Sequence, residues 1–185
     1  NDYVCWSAPE DDLSDWRYEG VIFQKTQDPR NPDGAHALWA PDVCRGNDGK
    51  YYLYYCLDFL KEIGVAVCDT PAGKYEFLDF VRYPNGDILG SRPDEIRQFD
   101  PGIFIDDDKR IYLFSGNSPR YKTPGVDKDS LKMELEQDMI TVKDGPYHNL
   151  PIINDADGTE YEAHPFFEAS SIRKINGKYY FIYSS

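Results

Sequence analysis

The chain has 185 residues, 33 of them acidic and 20 basic, for a formal charge of −13, with 41% hydrophobic and 15% aromatic residues. That apolar content excludes a disordered chain, and the negative field argues against nucleic acid and anionic membrane surfaces as partners. No apolar run approaches the roughly 18–20 residues of a membrane-spanning helix, and the opening Asn1-Asp2-Tyr3-Val4-Cys5-Trp6 lacks the basic start of a secretion signal.

Short runs rich in Tyr, Phe, Val and Ile predict strands rather than helices. In chain order, Asp2–Ser7 reads as a strand that follows a turn, and Asp12–Val21 as the outer portion of a sheet whose first strand is absent. A strand at Trp39-Ala40-Pro41-Asp42-Val43 turns through Asn47-Asp48-Gly49 into Lys50–Tyr55, and further strands are expected at Ile63–Cys68 and, after the Pro71-Ala72-Gly73-Lys74 turn, at Tyr75-Glu76-Phe77. Asp129–Leu135 has some helical character but suits the outer strand of a sheet, with Met139-Ile140-Thr141-Val142 as the next strand.

The four cysteines form no C-x-x-C pair and have no paired histidines nearby, which argues against zinc. A two-residue Asp48-Gly49 turn would set Cys44 opposite Leu53 rather than Cys56, so buried free thiols are expected.

One pattern recurs. Asn47-Asp48-Gly49-Lys50-Tyr51-Tyr52-Leu53, Asp107-Asp108-Lys109-Arg110-Ile111-Tyr112-Leu113 and Asn176-Gly177-Lys178-Tyr179-Tyr180-Phe181-Ile182 are each a turn feeding a strand. The turn centres lie 59 residues apart (49 to 108) and then 69 (108 to 177), a period suited to propeller blades with extended loops. Upstream of each turn an aromatic precedes an acid: Trp39 before Asp42, Phe99 before Asp100, Phe167 before Glu168. All-β architecture, a β-propeller with about three blades represented, is the expected fold.

The innermost strands of a propeller line its channel, so acids at matching places on three of them converge on one cavity. Paired carboxylates with separated proton affinities are the apparatus of glycoside hydrolysis, and aromatics beside them stack on sugar rings. Asp100, in Asp-Pro-Gly, also fits a turn in which it bonds backbone amides, and Asp42 fits a loop or ligand-orienting role. Glu168 stands between Phe167 and Ala169 in a strand otherwise short of charge. His36 and His164 read as surface or hydrogen-bonded histidines, and Asp106-Asp107-Asp108 as a solvated turn without calcium-loop spacing.

The motifs Trp39-Ala40-Pro41-Asp42, Phe99-Asp100-Pro101-Gly102 and Phe166-Phe167-Glu168-Ala169, with Tyr179–Ser184 after the last, resemble glycoside hydrolase family 43. These are the five-bladed propeller β-xylosidases and α-L-arabinofuranosidases. The resemblance implies an inverting hydrolase of xylosyl or arabinofuranosyl residues in plant polysaccharides, acting on xylo- or arabino-oligosaccharides. Glu168 matches the family's general acid, protonated at working pH, and Asp100 the residue that tunes it. Trp39, Asp42 and Phe167 match no stated role but stand where a sugar subsite needs walls and a hydroxyl contact. Arg173 is left open, because strand alternation from Glu168 sends it to the opposite face.

The family's base has no counterpart in the sequence. Residues 1–185 are therefore expected to be part of a propeller domain, missing the first strand of blade one and the last blades, and inactive in isolation. No cofactor is required, and calcium in the channel belongs, if anywhere, to the complete enzyme. The competing readings are a non-catalytic carbohydrate-binding propeller and a related fructoside hydrolase, which the Phe-Glu-Ala motif fits less well.

Overall fold

The computed structural model describes residues 2–185. Its strands are β1 (Tyr3–Ser7), β2 (Arg17–Phe23), β3 (Asp42–Arg45), β4 (Tyr51–Cys56), β5 (Ile63–Cys68), β6 (Glu76–Phe80), β7 (Gly102–Ile105), β8 (Ile111–Gly116), β9 (Ser130–Leu135), β10 (Val142–His148), β11 (Glu168–Ile175) and β12 (Lys178–Ser184). They form two four-stranded antiparallel meanders, β3-β4-β5-β6 and β7-β8-β9-β10, flanked by the two-stranded sheets β1-β2 and β11-β12. This is the bladed, all-β arrangement expected, with β3, β7 and β11 as adjacent inner strands.

The hydrophobic pattern of β4 explains how blades stack. Tyr52 and Tyr54 enter a core shared with the next blade through Ile103, Ile111, Leu113 and Met133. The alternating Leu53 and Tyr55 enter a second core with Ile22, Phe23 and Leu57. A strand buried on both faces needs a continuous apolar run, which Tyr51–Cys56 supplies. Burying each such side chain contributes about 1.5–3 kcal/mol. The buried phenols are not left unpaired: Tyr54 donates to the Met139 carbonyl at 2.5 Å and Tyr55 to the Asp28 carboxylate at 2.9 Å. Between the second meander and β11-β12 the packing is aromatic, with Phe114 and Phe181 ring centroids 5.2 Å apart.

Three expectations are corrected. The first hairpin has a three-residue loop, because Gly46 N–H bonds the Lys50 carbonyl and Gly49 takes a left-handed φ of 89°. Cys44 therefore faces Tyr52, not Leu53. The strand expected from Met139 starts at Val142, since Met139 sits at φ 69° in a turn held by Asp138, whose carboxylate accepts from the Ile140 and Thr141 amides. Asp106 is not solvated: it is buried and bound by Lys174 at 2.5 Å and by the Tyr179 hydroxyl, which together hold its carboxyl down at about 2. This contact ties the β7-β8 turn to the β11-β12 sheet. The four cysteines are free thiols.

The inner strands approach closely at one point. A Cβ on Gly102, the first residue of β7, would collide with the Ser170 carbonyl of β11. Replacing Gly102 with Ala should destabilise the chain by about 1–3 kcal/mol through this overpacking. Urea unfolding of Gly102→Ala beside wild type measures it, and an unchanged midpoint would show that β11 is free to retreat.

Candidate active site

The strand ends that carry the motif residues meet at one edge of the fan. Trp39 donates its amide to the Cys56 carbonyl, Gly116 donates to Phe99, and Phe167 donates to Ser184. In each case the aromatic of the first strand is tied to the end of the second. Trp39, Phe99 and Phe167 therefore occupy equivalent places, and the residue after each is Ala40, Asp100 and Glu168. Asp42 is two residues further along its strand, so it is not the positional equivalent of the other two acids.

Asp100 is buried, 7% exposed, with a left-handed φ of 45°. Its Oδ1 is buried without a hydrogen-bond partner. Burial, and then the negative charge of Glu168, push its carboxyl up to about 6 from 3.8, against a smaller downward pull from the Ala169 amide. Left-handed backbone at a non-glycine residue is a cost tolerated where the surroundings over-determine it, and Asp is among the side chains that bear it best.

Behind Asp100 lie two residues that the sequence offered no reason to single out. Cys56 is fully buried, its sulfur facing the Asp100 amide, and burial pushes its thiol up to about 12. Tyr3 lies close enough that the Asp100 charge raises its phenol further, after burial has done most of the work, and its hydroxyl donates to the Trp39 carbonyl. Both are remote in sequence, and only the stacking of β1, β4 and the Phe99–Gly102 segment assembles them.

Glu168 opens β11 and faces Ser184. Between Glu168↔Ser184 and Ser171↔Ile182, β11 has two residues where β12 has one, a β-bulge in which Ala169 adopts φ 65°. The bulge resets the alternation. Ser184, Ile182 and Tyr180 share one face of β12, so their partners Glu168, Ser171 and Arg173 share one face of β11. Arg173 thus stands on the Glu168 side, contrary to the simple count; burial raises the Asp42 carboxyl, and the Ile103 and Val43 amides and the Arg173 cation offset only part of that rise.

Asp42 Oδ2 accepts the Ile103 amide at 2.9 Å and Oδ1 accepts the Val43 amide at 2.9 Å. It ties β3 to β7 while lining, with Pro41, Asp100, Pro101, Ala169 and Ser171, a cleft of about 190 Å³. Trp39 is half exposed at this edge, its ring tilted against Phe99 at 5.7 Å. Phe167 lines a neighbouring cavity instead, so the structure brings Asp42 and Asp100 into one cleft and sets Phe167 apart from it. The His36 ring bonds Asp58 at 3.1 Å, and His164 is exposed at the surface, its backbone carbonyl accepting from the Tyr183 hydroxyl. Among the described residues no three His, Cys, Asp or Glu side chains are gathered to hold a metal ion.

The edge of the fan thus holds Asp100, a buried carboxyl raised by its burial and by the charge of Glu168. The profile of glycosyl hydrolases family 43 matches residues 2–185, and the chain belongs to that family. A xylosidase/arabinosidase of Thermoclostridium stercorarium is 54% identical over the whole chain, which spans 38% of that relative's length. RS223 β-xylosidase superposes with a TM-score of 0.72 at 25% identity, over 99% of this chain and 59% of that one. A β-xylosidase/α-arabinofuranosidase from a compost metagenome, solved in a calcium-free complex with xylotriose, gives 0.64 at 26% identity, over 91% of this chain and 55% of that one.

The raised Asp100 carboxyl makes a stability prediction with a definite sign. Between pH 3.8 and about 6 the folded chain binds more proton than the unfolded one, so stability falls across this window and the cost is fully present above it. Asp100→Asn, which tolerates the left-handed backbone, should match wild type in melting temperature at pH 4 and exceed it at pH 7. Equal melting temperatures at both pH values would contradict the burial of an ionised Asp100.

Proposed function

We propose that this chain carries the proton-donating part of an inverting glycosidase site that removes xylosyl or arabinofuranosyl residues from plant cell-wall oligosaccharides and polysaccharides. The observation that carries the reading is Asp100 beside Glu168, a carboxyl raised first by its burial and then by the charge of its neighbour. Glu168 gives its proton to the leaving oxygen, which departs as a neutral hydroxyl rather than an alkoxide. Asp100 stays close and poorly solvated and orients the donor. Arg173 and Asp42 fix the rim of the cleft, and Trp39 offers a ring face to the sugar. The names of the relatives support both pentosyl groups as substrates, and the xylotriose complex supports a xylo-oligosaccharide.

No step above runs through a calcium ion. A family 43 reaction also needs a base that activates water, and no residue of the chain matches it. The catalytic reading is favoured over a purely carbohydrate-binding propeller by the burial of Asp100 in a left-handed backbone, with one carboxylate oxygen unpartnered, which hydroxyl binding alone does not require.

Two measurements test this. In the full-length protein carrying this chain, Glu168→Gln should lower kcat on oligosaccharides by about 10²–10⁴-fold while sparing activated aryl glycosides more. Equal loss on both classes would remove Glu168 from the donor role. The 185-residue chain by itself is expected to release no aryl aglycone from xylosides or arabinofuranosides, and turnover near the full-length rate would show that the base lies within it.

A further inference from the structure

We infer that Phe59, on the turn between β4 and β5, is a specificity-determining residue: its ring is a platform for a sugar of the substrate chain outside the unit that is hydrolysed. The inference rests on the glycosidase reading above and names what the site recognises beyond one pentosyl group.

Six non-glycine residues among those described have left-handed backbone: Phe59, Asp100, Lys109, Met139, Ala169 and Asn176. Lys109, Met139 and Asn176 sit in the turns that join neighbouring strands, where this conformation reverses the chain. Asp100 and Ala169 line the cleft. Phe59 is the sixth, at φ 62°, in a turn closed by the Leu60 amide on the Leu57 carbonyl. Its place in that turn favours glycine or asparagine, and a bulky ring there is an outlier that costs stability. Packing does not repay the cost. Leu57 and Leu60, on either side, join the core that holds Tyr55 and Ala66, while Phe59 is 79% exposed. A ring that strains the backbone and packs on nothing has its reason outside the fold.

The turn is fixed beside the cleft. On one side Asp58 donates its amide to the Ala37 carbonyl at 3.0 Å, and its carboxylate accepts the Ala37 amide at 2.8 Å. On the other the Lys61 carbonyl accepts the Gln98 amide at 2.9 Å, and the Lys61 ammonium pairs with Asp127 at 2.6 Å. Ala37 stands two residues before Trp39 and Gln98 two before Asp100. The turn therefore bridges the two segments that enter the site, at the edge where Trp39 is half exposed. Two exposed rings on backbone that cannot swing away suit successive units of a neutral sugar chain, whose C–H faces stack on aromatics while the hydroxyls stay in water. The fixed turn lowers the ordering cost of such binding.

The test uses the full-length protein with two substrates: xylotetraose, or its arabinofuranosyl-substituted form if wild type prefers it, and the matching glycosyl fluoride, which carries no sugar beyond the hydrolysed unit. Phe59→Gly should lower the ratio of kcat/KM on the oligosaccharide to that on the fluoride by about three- to tenfold, and Phe59→Tyr should keep the wild-type ratio. Phe59→Gly should also melt at or above wild type, since glycine relieves the left-handed strain. An unchanged ratio, or a melting temperature below wild type that reveals a packing role, would overturn the platform while leaving the glycosidase reading intact. A wild type inert to both substrates would overturn the glycosidase reading and this inference with it.

Discussion

The contact on which the site depends is the near-touching of two inner strands, β7 and β11, at Gly102 and the Ser170 carbonyl. A side chain at Gly102 would hold these strands apart. Because they close to backbone contact, Asp100 at the head of β7 feels the charge of Glu168 at the head of β11 in a place where water is largely excluded. Coulomb interaction is weak in water and several-fold stronger where the medium is less polar. The same carboxyls a few ångströms further apart, or in solvent, would leave Asp100 near its ordinary carboxylate value.

The rest of the fold serves to keep that approach rigid. Tyr52, Tyr54, Leu53 and Tyr55 fill the cores on both faces of the first meander, so this blade cannot tilt without opening a cavity. Asp42 clips β3 to β7, and Lys174 with Tyr179 clips the far end of β11-β12 to Asp106. The strain stored in Asp100 and Ala169 is held by these contacts. Cys56 and Tyr3, packed behind Asp100, are inert as acids and act by excluding water from it.

Local signals were legible in the sequence and long-range ones were not. The three turns are marked by Asn, Asp and Gly at fixed offsets from β-rich runs, and that repeat was enough to place the inner strands and the fold class. Asp100 and Glu168 stood out because an acid follows an aromatic at the head of each strand. Asp42 looked equivalent by counting, yet the hydrogen bonds of Trp39, Phe99 and Phe167 put it two residues deeper. Arg173 was sent to the wrong face because a single bulge at Ala169 inverts the parity of every later residue in β11. The register of Cys44 failed for a related reason, since one extra loop residue shifts the whole hairpin. Tyr3 and Cys56 carry no local mark, being brought to Asp100 only by the stacking of sheets.

The central claim is that Asp100 is buried against the charge of Glu168 and that its carboxyl is raised by both. The most direct measurement is carboxyl carbon NMR of the Asp100 side chain across pH 3–8, in wild type and in Glu168→Gln. The account predicts that Asp100 titrates near 6 in wild type and at lower pH once the neighbouring charge is gone. An Asp100 that titrates near 4 in both proteins would contradict it.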